Sequence, residues 1–214
     1  MSAKKEHRFE PYFYNRYVLD GKYDIPMLEK QDVDLKELKL IRFSDIIKNE
    51  TRDLDATVHF FAHDDEFDEV WKKPSSYIDE IGQYKQTLAP DFSLYTNMAV
   101  SLQIFNTFRN RWLGCYWQEH GITVIPTIGW SNEDSFEFCF CGVEKRSTVA
   151  VSTLGSYDIE QEYRKGFMKL CEIIQPESVI CYAKPFQWMY EMTELIEVPY
   201  VANKRTAPAL KGVV

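Results

Sequence analysis

The sequence predicts an α/β fold built from repeated strand–helix units. Seven short apolar runs begin near residues 40, 57, 88, 122, 148, 179 and 197, and helical patterns separate most of them. The runs recur roughly every 25 residues, the rhythm of βα units joined in parallel. Residues 122–128 are apolar on both faces apart from their threonines, which suits a strand covered on both sides. These observations predict a distorted or incomplete (βα) TIM-like barrel, with an open doubly wound parallel sheet as the alternative. The expected organisation is an irregular N-terminal arm over residues 1–37 lying on a single α/β domain over 38–214.

Each element has a local reason. The arm is polar and rich in tyrosine, with turn signals at Asp20-Gly21 and Ile25-Pro26 and anchors at Tyr12, Phe13, Tyr14 and Tyr17. Leu40 to Phe43 reads as the first domain strand, and Ser44 as the cap of a brief helix. Thr57 to Phe61 is the second strand, followed by a helix from Asp64 to Ile81, broken near Pro74. A third strand is expected over residues 88–93, shortened because Pro90 has no N–H for the ladder.

Between Asn97 and His120 the apolar residues fall at 98, 102, 105, 108, 112 and 116, a helical stripe that Gly121 ends. Residues 122–128 and 148–153 are the next strands, with a short helical turn or extended piece between them. A helix from Asp158 to Ile174 precedes a strand over residues 179–182. Pro185 then opens a helix to Leu195, and residues 197–201 form the last strand.

Composition narrows the function classes. The chain has 214 residues, enough for a sizeable core, and 15% of them are aromatic. A net charge of -8 makes non-specific binding to duplex nucleic acid the least favoured class. No apolar run reaches the roughly 18 residues of a membrane helix, and the N-terminus does not read as a signal peptide, so a cytoplasmic, non-membrane protein is expected. The five cysteines include no CxxC pair and read as reduced thiols, and no metal site is assigned.

In either architecture ligands bind at the carboxyl ends of the strands. The residues just past those ends are therefore the candidates. Asp91 follows Pro90 between apolar neighbours. It reads as a general base, a metal ligand or a binder of a hydroxyl, or else as a helix cap or an ion-pair partner of Arg109 or Arg111. His63 and Asp64 join it as candidate acid–base groups. Ser93, Tyr95, Arg109, Arg111, Trp130, Ser131, Thr153 and Lys184 are candidate ligand-binding residues. A guanidinium can grip a phosphate or carboxylate with two parallel bonds, and an indole can stack on a flat ring. Arg109 and Arg111 lie two apart on one helix, so they do not share a face, and either can instead buttress a loop. Ser131-Asn-Glu-Asp134 also reads as a capping box. No P-loop, GxGxxG, GxSxG or HExxH signature is present, and no cofactor is implied.

Several stretches together resemble one family. Pro90-Asp-Phe-Ser-Leu-Tyr95, Arg109-Asn-Arg-Trp-Leu-Gly114, Gly121-Ile-Thr-Val-Ile-Pro126 with Gly129-Trp-Ser131, and Val149-Ala-Val-Ser-Thr-Leu-Gly155 occur in order and are similar to the DUF4417 family. His59-Phe-Phe and Trp71-Lys-Lys-Pro74 fit as well. The resemblance implies a protein of bacteria, phages or mobile elements and carries no reaction with it. Three functions follow as expectations: action on, or binding of, a small molecule or nucleotide; binding of a host protein in defence evasion or host takeover; and, last, association with nucleic acid.

Overall fold

The structure, a computed structural model, describes residues 16–48 and 52–201. Tyr12, Phe13 and Tyr14 lie outside those residues. The described chain opens with a two-stranded hairpin, β1 (Leu19–Asp20) and β2 (Ile25–Pro26). Gly21 sits in its turn at a φ of 67°, a conformation that suits a residue with no Cβ.

Seven parallel strands follow: β3 (Leu40–Arg42), β4 (Thr57–His59), β5 (Gln86–Leu88), β6 (Val124–Ile125), β7 (Val149–Ser152), β8 (Val179–Tyr182) and β9 (Leu195–Val198). They pair in two groups, β3-β4-β5-β6 and β7-β8-β9. A parallel bridge between Thr127 and Ala150 links the groups, because the Ile128 N–H donates to the Ala150 carbonyl at 2.8 Å. The Ala150 N–H reaches back to the Pro126 carbonyl, also at 2.8 Å. Strand order thus follows chain order. A doubly wound sheet reverses direction at a switch point, and this one does not.

The sheet curls strongly. The ring of His59 on β4 lies 4.9 Å from that of Tyr182 on β8, and Phe61 stacks on Tyr182 at 5.0 Å. Four strand spacings in a flat sheet would separate them by roughly 19 Å. Leu88, Ile125, Ala150, Ile180 and Val198 meet in one cluster on the concave face, with Leu40 and Ile196 packed against it. Among the described residues no backbone pairing joins β3 to β9, so the barrel expected from the sequence is not closed by hydrogen bonds.

Two prolines set strand lengths. β5 starts and ends earlier than residues 88–93 because Pro90 cannot donate, and the expected strand over 122–128 shrinks to two residues before Pro126. The last strand falls at Leu195–Val198 rather than at 197–201.

The convex face is covered by α1 (Phe43–Ile47), α2 (Glu69–Lys72), α3 (Ile78–Ile81), α4 (Val100–Glu119) and α5 (Glu160–Ile174). The helix expected over 64–81 is broken into short α and 3-10 turns at Lys73 and Pro74. The helix expected after Pro185 is one 3-10 turn, Gln187–Glu191.

α4 departs most from its pattern. The apolar stripe holds in its second half, where Trp112 and Tyr116 are buried, but Leu102 is 54% and Phe105 42% exposed in the first half. The buried face there consists of Gln103, Asn106, Thr107 and Asn110. The loops at the strand ends present carbonyl oxygens to this face, and only donors can satisfy them without water. No helix of the described residues is long and apolar enough to cross a membrane.

Candidate functional site

The site is built by α4 on the carboxyl ends of β5 and β6. Gln103 donates to the carbonyls of Tyr95 and Met98 at 3.1 and 2.9 Å. Asn106 donates to Ser93 O at 2.6 Å, and Asn110 to Pro90 O at 2.6 Å and Thr127 O at 3.2 Å. Residues 103, 106 and 110 fall on one helix face, so a single ladder of amides fixes both loops.

Arg111 extends the ladder. It is 2% exposed and donates from Nε to Cys141 O, from Nη1 to Asn110 Oδ1 and Thr127 O, and from Nη2 to Cys139 O, at 2.6–3.0 Å. Burial pushes its pKa down to about 10, with no carboxylate in contact. The guanidinium therefore clamps the rim, and its donors are already occupied.

Arg109 points the other way. It bonds Asp68 at 2.8 Å and Asp64 at 3.4 Å, donates from Nε to Asn106 Oδ1 at 3.0 Å, and lies 3.6 Å over the Phe92 ring. Asp64 in turn accepts from the Ser93 amide and hydroxyl at 3.1 and 2.7 Å. Asp64, Ser93 and Arg109 thus form one network that joins the β4 and β5 loops.

Asp91 stands between these two systems. It pairs with neither arginine, and no hydrogen-bond partner is found for it among the described residues. The residue is half-buried, and its carboxyl is densely surrounded. Burial first, and the Asp64 carboxylate second, push its pKa up to about 7 against the opposing Arg111 charge.

Asp91 lines a narrow cavity with Asn106, Asn110, Arg111, Thr127 and Gly129, with room for no more than about one water-sized group. A larger, open cavity adjoins it, bordered by Trp130, Ser131, Ser152, Ser156 and Tyr163. Gly129 lines both. A Cβ on Gly129 would lie 3.6 Å from Asp91 Oδ1, in ordinary contact with it.

The remaining candidates are spread around the rim. Trp130 forms a wall of the larger cavity, with its ring 4.7 Å from Tyr163 and its indole directly against Gly166 of α5. Ser131 donates to Gln103 Oε1 at 2.6 Å. It does not cap the next turn, where Asn132 holds that position and the Ser135 hydroxyl donates back to Asn132 O, so the capping-box reading is corrected. Thr153 is buried and donates to Lys184 O at 2.9 Å, while the Lys184 side chain is exposed. His63 and Tyr95 are exposed, and neither is brought to Asp91. Among the described residues no group of three or more His, Cys, Asp or Glu could hold a metal ion.

Tyr163 was not singled out by the sequence. It is 6% exposed, its hydroxyl has no partner, and burial raises its pKa well above the ordinary value. Asp91 is among the charges that raise it further. In the sequence it looks like one more apolar-face residue of an amphipathic helix. Only its position facing the larger cavity separates it from the core.

Comparison with known proteins places this rim in a family. The profile described as a domain of unknown function, DUF4417, matches residues 17–199. The chain belongs to the DUF4417 family. The Gene 1 protein of Mycobacterium phage L5 is 42% identical over 130 residues, 59% of this chain and 57% of its own length. The Gene 1 protein of Mycobacterium phage D29 is 37% identical over 130 residues, covering 59% and 48%. The chain thus spans about half the length of the curated relatives it matches. No solved structure gives a significant match. For this DUF4417 chain the rim geometry, rather than a relative's name, bears on function.

Proposed function

We propose that the protein binds a small organic molecule or nucleotide across the carboxyl ends of β5, β6 and β7, with Asp91 as its proton-exchanging group. The observation that carries the reading is Asp91 itself: a carboxyl with no partner among the described residues, facing a cavity beside a saturated arginine clamp. A carboxyl with a pKa near 7 can take or give a proton at neutral pH. The larger cavity holds the body of the ligand against Trp130 and Tyr163, and the Tyr163 hydroxyl supplies a donor. A hydroxyl, an amino group or an attacking water then occupies the small cavity at Asp91. The architecture behind this reading is an incomplete TIM-like barrel, supported by the ring contacts between β4 and β8.

Native mass spectrometry and calorimetry with a panel of nucleosides, nucleotides and sugars test the proposal. A ligand of a few hundred daltons should bind one to one, and Asp91→Asn and Tyr163→Phe should each weaken it by at least about tenfold. A ligand that binds both variants as well as it binds the parent protein would move the site elsewhere.

A further inference from the structure

The walls of the two cavities offer little to an anion. Among the described residues no lysine, arginine or histidine lines the larger cavity, whose apolar surface comes from Ile128, Trp130 and Ile159. The smaller one holds Arg111, but that guanidinium is spent on Asn110, Thr127, Cys139 and Cys141. Asp91 is the other charged group that lines either of them.

The hydroxyls point to the same class of ligand. Ser131 donates its proton to Gln103 Oε1 at 2.6 Å. Ser152 donates to Tyr182 O at 3.4 Å and accepts from the Leu154 N–H at 3.1 Å. Both protons are committed, so towards a ligand these two oxygens act as acceptors. An acceptor meets an N–H or O–H group and repels a phosphate or carboxylate oxygen. The buried Tyr163 hydroxyl, which has no partner, supplies one donor.

α/β folds commonly seat a phosphate in the loop after a strand, against free amides and the N-terminus of the next helix. Here that place is taken. After β7 the amides of Leu154 and Ser156 bond Ser152 Oγ and Thr153 O. Asp158, Glu160 and Glu162 stand at the N-terminal end of α5, where their charges answer its dipole. Asp158 and Glu162 are exposed and interleave in sequence with Ser156, Ile159 and Tyr163 of the cavity wall. The cations of the same turn are engaged: Arg164 lies 5.3 Å over the Trp188 ring, and Lys165 bonds Glu133 at 2.7 Å. The chain's charge of -8 adds to this repulsion at long range.

We propose that the site takes an unphosphorylated ligand, uncharged or cationic, of the nucleoside or nucleobase class. A nucleobase offers a flat face to the Trp130 indole and N–H donors to the serine oxygens. Its amino group or ring N–H reaches Asp91 past Gly129, which lines both cavities. The inference rests on the ligand site proposed above and selects among its ligands.

Calorimetry on the full chain with adenosine, guanosine, cytidine and uridine, each against its 5′-monophosphate, tests it. At least one nucleoside should bind saturably, at least about tenfold more tightly than its own monophosphate. Asp158→Asn combined with Glu162→Gln should narrow that ratio severalfold by admitting the monophosphate, with nucleoside affinity unchanged. Equal or tighter binding of the monophosphates, or absence of saturable binding by every nucleoside, overturns the inference. Monophosphate binding that falls at least about tenfold in Asp91→Asn and Tyr163→Phe would leave the ligand site standing and reject only its selectivity. Failure of both classes to bind strikes the site as well.

Discussion

Arg111 and Arg42 sit on opposite flanks of the same sheet end, and the protein treats them differently. Arg111 spends its donors on three backbone carbonyls and one side-chain amide. Arg42 makes one long bond and leaves a buried N–H without an acceptor. The first arrangement holds loops together, and the second ties the end of β3 to the backbone beyond β9 through one contact. The acids and bases beside them differ as well. On the Arg111 flank the Asp91 pKa is raised, whereas on the Arg42 flank the His59 pKa is lowered. In both cases burial is the leading cause and the neutral form is favoured. The difference shows that the bonds an arginine makes, more than its depth, decide how much of the fold depends on it.

Replacing Arg111 is the strongest way to test this contrast. Arg111→Met leaves the carbonyls of Cys139 and Cys141 unpaired and that of Thr127 with Asn110 alone, and a loss of roughly 3–5 kcal/mol is expected. That corresponds to a fall of roughly 10 °C in melting temperature for a chain of this size. A fall of only a degree or two would show that the clamp is dispensable.

Asp91→Asn should act in the opposite direction and depend on pH. The folded pKa near 7 lies above the ordinary value of 3.8, so the folded state holds the extra proton between those limits. Stability is therefore lost as pH rises through that window, and asparagine escapes the loss. The variant should be more stable than the parent at pH 8 by roughly 2 kcal/mol, with the difference fading near pH 4. His59 contributes the reverse trend, with stability lost as pH falls from about 6.5 towards about 3. Parallel melting curves for the parent and Asp91→Asn at every pH would remove Asp91 from the account.

Gly166→Ala sharpens the wall of the larger cavity. Its Cβ would stand 2.1 Å from Trp130 Nε1, so the indole must move. A cost of roughly 1–3 kcal/mol is expected, with a shift in tryptophan emission as Trp130 is displaced. The smallest effect belongs to Arg42→Gln. Its melting temperature should stay within about 2 °C of the parent's, since little bonding is lost.

Much of the fold was legible. All seven parallel strands were placed to within a few residues, because buried parallel strands announce themselves as short apolar runs between helical patterns. Their curl was not legible, since nothing in the local pattern says that His59 meets Tyr182. In α4 the stripe predicted the helix but misassigned its first half. The buried face there follows the carbonyls it must satisfy, and these become visible only once the strand ends are in place. Asp91, Trp130 and Ser131 were singled out by their position after strands, and the structure sets them along the two cavities. Asn110 was marked only through the motif Arg109-Asn-Arg-Trp112, and Asn106 and Tyr163 were missed because a helix interior gives amides and tyrosines no distinguishing signal.

The open seam also bears on how the molecule avoids its own copies. A sheet that does not close exposes the outer margins of β3 and β9, and exposed strand margins invite pairing between chains. Both margins here are three or four residues long. Lys39 and Arg42 flank one of them, and Glu194 and Glu197 mark the other. Such short, charged borders offer too little ladder for a second chain to extend, so the protein can keep its sheet unsealed without growing into fibres.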